Sequence, residues 1–187
     1  TLSKVKVDAA HVLGEPGKAL PVIERVVHEA IAALCAEAVG GMGVAHADTD
    51  EYLKTRKQFG VTIGSFQSLQ HRAVEMFVFL EQARSITFFA TMMASENDAA
   101  ERARAMSAAK VQVGKSLRFV GQQSIQLHGG VGMTYELRVG HYFKRGTMID
   151  TLFGDVDHHL AKLSAMGGLI AAELAAEATE DEAADGA

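Results

Sequence analysis

The sequence predicts an all-α fold, an up-and-down bundle of long helices preceded by a short extended segment. Three observations carry that expectation. No proline follows Pro21 in a chain of 187 residues, so nothing beyond that point obliges a helix to break. Alanine, leucine, methionine and glutamate, all good helix formers, are plentiful. From Leu20 onward apolar residues recur every three or four positions, the spacing of one helical face. With 48% hydrophobic residues, the chain holds apolar material for one core of ordinary size.

The first element is the exception. Lys4-Val5-Lys6-Val7-Asp8 alternates polar and apolar as a half-buried strand does, then runs into the Gly14-Glu15-Pro16-Gly17 loop. A lone strand leaves its backbone groups unpaired, so residues 1–17 are expected to be the end of an upstream β domain and a linker. The bundle is expected over 18–176. Its first helix starts near Leu20 with Pro21 in the first turn, and its apolar positions include Val22, Ile23, Val26, Val27, Ile31, Leu34 and Cys35. The pattern continues past Gly40-Gly41, where the helix is expected to bend or thin, to Phe59, with Gly60 as its left-handed terminator.

Ser65 is the expected cap of a second helix, which carries Phe66, Leu69, Val74, Phe77, Phe79, Leu80, Ile86, Phe88, Phe89 and Met92 and ends near Ser95. Asn97 or Asp98 caps a third that runs up to Gly129-Gly130. After a Gly-rich turn come a short helix over Glu136 to Arg145 and a last amphipathic one from Val156 to Ile170. Residues 177–187, acidic and alanine-rich, read as a flexible tail.

Charge and composition exclude several function classes. The net charge is −5, and the five acidic residues among the last eleven positions account for all of it, so the body carries no cationic excess. Nucleic acid and a polybasic membrane anchor are therefore not expected partners. Nor does any run of consecutive apolar residues reach the ~20 of a membrane span. Cys35 is the single cysteine, which leaves no intrachain disulfide or cysteine-built zinc site and suggests a reducing, cytoplasmic setting. No Glu-x-x-His pair of the di-iron bundle type occurs, and Asp155 with His159 reads as an ordinary helix start, so no metal is expected.

Three elements exceed what a plain bundle needs, the first in the chain being the approach segment Asp8-Ala9-Ala10-His11-Val12-Leu13-Gly14-Glu15-Pro16-Gly17, by itself only a domain-junction composition. Tyr52-Leu53-Lys54-Thr55-Arg56-Lys57-Gln58-Phe59-Gly60 closes the first helix, and Gln126-Leu127-His128-Gly129-Gly130-Val131-Gly132 closes the third. Taken singly, basic residues suit a helix C-terminus and a double glycine stops a helix. Taken together, in this order and with two helices between them, they resemble the C-terminal helical domain of the acyl-CoA dehydrogenases, with the last strand of the preceding β domain. The resemblance covers roughly residues 5–170.

That resemblance implies FAD as cofactor. Arg56 would contact its diphosphate, with Gln58, Phe59, Phe66 and Gln67 beside it, while Gln126, Gly129 and Gly130 would line the adenosine end. A guanidinium fork suits a diphosphate and glycines permit close backbone approach. Family members pair so that these elements complete a neighbour's flavin site, which implies a homodimer or dimer of dimers. The implied reaction is α,β-desaturation of an acyl-CoA thioester, with an electron-transfer acceptor as second partner and no turnover expected from the isolated chain.

The sequence departs from the family pattern at the catalytic base. Many members carry an aromatic-Glu-Gly-Thr run, where this chain has Leu152-Phe153-Gly154-Asp155-Val156 and so places Gly154 at the glutamate position. A minority branch carries the base on the first long helix, at the position of Ala30 here. The nearest carboxylates are Glu29, Glu37 and Asp155. Two alternatives therefore stand beside the enzyme reading: a non-catalytic subunit of a heteromeric dehydrogenase, and a flavin-free helical interaction module.

Overall fold

The computed structural model describes residues 1–167. Ten turns of helix make up α1, Leu20–Thr55, as anticipated from its apolar spacing. Its buried stripe runs His28, Ile31, Cys35, Ala38, Met42, Ala45, Thr49 and Leu53, each three or four residues from the next. By length and composition α1 is apolar enough to cross a membrane, which the count of consecutive apolar residues did not anticipate. The buried stripe, packed on the helices that follow, is that of a core helix.

α1 stops at Thr55 rather than at Phe59. The reason is a two-residue hairpin: β1, Lys57–Gln58, pairs antiparallel with β2, Val61–Thr62. Phe59 and Gly60 have φ of 55° and 82°, the two left-handed residues a tight hairpin turn requires. Gly60 therefore turns a hairpin instead of ending a helix. The hairpin is pinned to α1 where the Ile63 N–H donates to Arg56 O at 2.9 Å.

α2 is Gln67–Met93. Ser65 does not cap it; the Ser65 hydroxyl donates to Thr62 O, and Phe66 occupies the cap position without a side-chain bond. Small residues and Met76, Leu80 and Thr87 form its buried face, leaving Val74, Phe77, Phe88 and Met92 exposed. α3, Ala99–His128, is the central helix and packs on all the others. Asp98 caps it as expected, one carboxylate oxygen accepting from the Ala100 and Glu101 N–H groups.

A 3-10 segment, Gly129–Met133, leads to α4, Val139–Thr151, which begins and ends later than the sequence suggests. α5, Val156–Ala165, completes the described bundle with Asp155 as its N-cap. The expected continuation of α5 to Ile170 and the acidic tail lie outside the described residues. At the other end, residues 4–8 form no strand among the described residues. A 3-10 turn at Ala9–His11 follows them, and the segment is exposed throughout.

Two bidentate arginine forks tie α4 to α1: Arg145 to Glu37 at 2.6 and 2.8 Å, and Arg138 to Asp48 at 2.6 and 2.7 Å. At the C-terminal end of α4, Lys110, 2% exposed, donates its ammonium to the carbonyls of Ile149, Asp150 and Leu152 at 2.8–2.9 Å. These are orphan carbonyls at the end of α4, where a cation meets the negative end of the helix dipole.

Candidate functional site

Both sequence motifs end at the same corner of the bundle. The rings of Tyr52 and His128 lie 4.4 Å apart between centroids, so the closing turns of α1 and α3 touch. His128 Nδ1–H donates to Ser124 O at 2.7 Å, which fixes the ring. Past it, Gly129 takes φ 64° and ψ −145°, a conformation open only to glycine. A Cβ at Gly132 would stand 2.7 Å from Ile125 O, so the turn folds directly back on α3.

Around this corner the groups named from sequence are exposed, and three of their polar side chains are uncommitted. The side chains of Arg56, Gln67 and Gln126 have no hydrogen-bond or ion-pair partner among the described residues. Open space lies in front of Gly129 and Gly130. Phe59, 90% exposed, meets Phe66 edge to face at 6.1 Å, while the Gln58 amide folds back to Lys57 O.

Beside Gln67 opens a polar concavity of about 560 Å3 lined by Ser68, His71, Arg72, Glu75 and Gln123. Arg72 bridges it, donating to Gln123 Oε1 at 2.9 Å. Sequence reasoning missed Arg72 and Gln123. The signal was available for Arg72, which stands four residues after Ser68 on one helical face.

The three candidate carboxylates are occupied to different degrees. Glu37 is held on both oxygens by Arg145, and that hydrogen-bonded guanidinium keeps its carboxyl below the usual range. Asp155 accepts the His158 N–H at 2.9 Å as the cap of α5, which lowers its pKa in the same way. Glu29 is exposed, with Arg25 Nε at 3.4 Å. Glu37 and Asp155 are thus shifted away from the raised pKa that tunes a carboxylate into a general base near neutral pH.

The turn at 152–155 is unusually confined. Gly154 has φ 101°, and a Cβ there would lie 2.4 Å from His158 Cδ2, so no side chain at 154 fits beside the imidazole as placed. Lys110 holds the turn at Leu152 O, and His159 Nε2–H holds it at Phe153 O, 3.1 Å away. His159 is 2% exposed and its Nδ1 accepts from the Ser107 hydroxyl at 3.2 Å. Burial pushes its pKa down to about 4, so it stays neutral.

Comparison with known proteins agrees with this architecture. The family described as acyl-CoA dehydrogenase, C-terminal domain, matches residues 20–180. The chain belongs to the acyl-CoA dehydrogenase family. Among curated relatives, acyl-CoA dehydrogenase IpdE2 of Mycobacterium tuberculosis is 36% identical over 112 residues, 60% of this chain and 33% of that protein. The short/branched chain specific acyl-CoA dehydrogenase of Bos taurus mitochondria is 29% identical over 153 residues, 82% of this chain and 35% of that one. The chain thus spans about a third of the length of these relatives.

Among solved structures, butyryl-CoA dehydrogenase from Megasphaera elsdenii superposes with a TM-score of 0.77 at 26% identity, covering 84% of this chain and 40% of that one. A steroid ACAD, Tcur3481-Tcur3483, gives 0.74 at 29% identity, over 86% and 42%. The family and its flavin-dependent neighbours imply FAD. The residues present fit that group: at one end of the bundle lie a guanidinium and two amides without a partner among the described residues, and an open glycine corner.

Proposed function

We propose that this chain is the flavin-contacting and oligomerising domain of an FAD-dependent acyl-CoA dehydrogenase, which desaturates an acyl-CoA thioester between Cα and Cβ. FAD, when bound, supplies the hydride acceptor for that chemistry. The chain's own part is recognition: Arg56 holds a diphosphate oxygen, Gln67 and Gln126 offer amide donors, and the Gly129-Gly130 backbone admits close approach. One observation carries the reading: the Tyr52–His128 stack unites two motifs 74 residues apart in sequence order, counted between Tyr52 and Gln126, while leaving their polar groups free. The exposed apolar face of α2, with Val74, Phe77, Phe88 and Met92, supports self-association into a dimer or dimer of dimers.

A second reading has its own support. Because Glu37 and Asp155 are already committed and Gly154 stands where many family members carry a glutamate, a subunit whose base is supplied by a different partner subunit fits the same structure. The test is the visible spectrum of the full-length protein after reconstitution with FAD, followed by anaerobic mixing with a panel of acyl-CoA thioesters. A flavin spectrum that bleaches supports the first reading. A flavin spectrum that bleaches only when a second subunit is added supports the second, and failure to retain FAD removes both and leaves a flavin-free interaction module.

A further inference from the structure

At the end of α1 opposite the glycine corner, a recess of about 150 Å3 opens between the N-terminal half of α1, α3 and α5. Two of its polar groups, Ser107 and His159, satisfy each other, and the second His159 nitrogen is spent on Phe153 O. Two others, His28 and Lys162, are not satisfied in this way.

The proton on His28 can be placed from its neighbour. Arg102 Nε–H points at His28 Nδ1, 3.4 Å away. A guanidinium only donates, so Nδ1 accepts and the ring proton sits on Nε2. Burial, and after it the charge of Lys162, lowers the His28 pKa and keeps the ring neutral. The ring is 6% exposed, yet its Nε2–H has no acceptor among the described residues. Nor is that nitrogen sealed in the core, where Asp150 Oδ1 is the unpartnered side-chain atom. A donor this deep, neither bonded nor closed off, on a residue that lines the recess, faces into it.

Lys162 supplies the second donor. It lines the same recess, is half-buried, and its ammonium has no hydrogen-bond or ion-pair partner among the described residues. The one acid on the lining, Glu24, is exposed, where solvent and salt screen its charge. An N–H and an ammonium that share a small space and lack acceptors call for an anionic oxygen. A cavity of about 150 Å3 holds benzene, which limits the body carrying that oxygen to a few carbons.

We infer that the recess binds the carboxylate of a small acid, which accepts from His28 Nε2–H and is neutralised by the Lys162 ammonium. The site uses none of the groups assigned to the flavin, so it stands or falls separately from the proposed reaction. The test is calorimetric titration of the full-length protein with propionate at constant ionic strength, repeated with the isosteric but uncharged propionamide. Lys162→Gln is compared with Lys115→Gln, an exposed lysine of α3 that does not line the recess, and with Glu24→Gln.

The expected result is saturable binding of one propionate per chain, weakened at least tenfold by Lys162→Gln, unchanged by Lys115→Gln and tightened by Glu24→Gln, with propionamide at least tenfold weaker. Glutamine is as good a helix former as lysine, and equal thermal midpoints of the free proteins show that lost binding is not lost fold. Propionamide binding as well as propionate, equal effects of the two lysine variants, weakening by Glu24→Gln, or no saturable binding because another part of the protein fills the recess would each overturn the inference.

Discussion

Tyr52 and His128 stack at 4.4 Å with their planes tilted by 34°, and through them the C-terminal turns of α1 and α3 become one surface. Arg56 stands one turn beyond Tyr52, and Gln126 two residues before His128. An exposed guanidinium with no partner among the described residues has its full hydrogen-bonding capacity available to a diphosphate. Replacing Arg56 with alanine in the full-length protein should weaken FAD binding about tenfold to a hundredfold, the range of a charge-assisted bond lost. Fluorescence titration of the apoprotein measures it, and an unchanged dissociation constant would remove Arg56 from the site.

The carboxylates invite a sharper test. Glu37 is neutralised by Arg145 and Asp155 serves α5 as a cap, so both are spent on structure. Glu37→Gln and Asp155→Asn, made separately in the full-length protein, should leave any acyl-CoA turnover within about twofold of the parent, because a base lost from the reaction costs ~100-fold or more. Asparagine also caps helices well, which keeps the second variant folded. A fall of that size in either variant would assign the base to that residue.

Much of the fold was legible because helical periodicity is a strong signal over long segments. α1 and α3 follow their apolar spacing, and Asp98 caps α3 as an N-terminal aspartate should. The misreadings have local causes. Gly60 was read as a helix terminator because left-handed backbone serves helix ends and hairpins alike, and only the pairing of Lys57 with Thr62 separates the two. In α2 nearly every turn holds a large apolar residue, so spacing could not tell the buried Met76 face from the exposed Phe77 and Phe88 face.

At the site, Arg56, Gln126 and the glycine corner were visible as motifs. The Tyr52–His128 contact, the Arg72–Gln123 bridge and the clamp on the 152–155 turn were not, since each joins residues far apart in sequence and depends on how helices cross.

Lys110 makes that clamp from inside the core. Its three acceptors are the carbonyls of Ile149, Asp150 and Leu152, none of which has a helical partner at the end of α4. Lys110→Met keeps the apolar stem but strands those acceptors, at about 1–3 kcal/mol for each left unsatisfied. Partial access of water makes a total of about 2–4 kcal/mol the expected loss. Urea unfolding with an unchanged slope and a lower midpoint would show it, whereas an equal midpoint would mean that the carbonyls find water without penalty.

His159 ties the same turn to pH. Its folded pKa is about 4, below the ordinary 6.5, because burial disfavours the charged ring; the bond to Phe153 O acts the other way, and the nearby Lys110 and Lys162 add to the effect of burial. In the window between those values the unfolded chain binds more protons than the folded one, so stability rises with pH there. The contribution is fully present above about pH 6.5 and is lost as pH falls toward 4, an effect on the order of 3 kcal/mol for a shift of this size. His28, whose pKa is also lowered mainly by burial, acts in the same direction. His159→Gln keeps a donor for Phe153 O and an acceptor for Ser107 but cannot titrate. Urea midpoints at pH 7.5 and pH 4.5 should therefore lie closer together in the variant than in the parent, with the residual difference carried by His28 and the carboxylates. Identical spacing in the two proteins would mean that the imidazole is free to charge in the folded state, which its burial opposes.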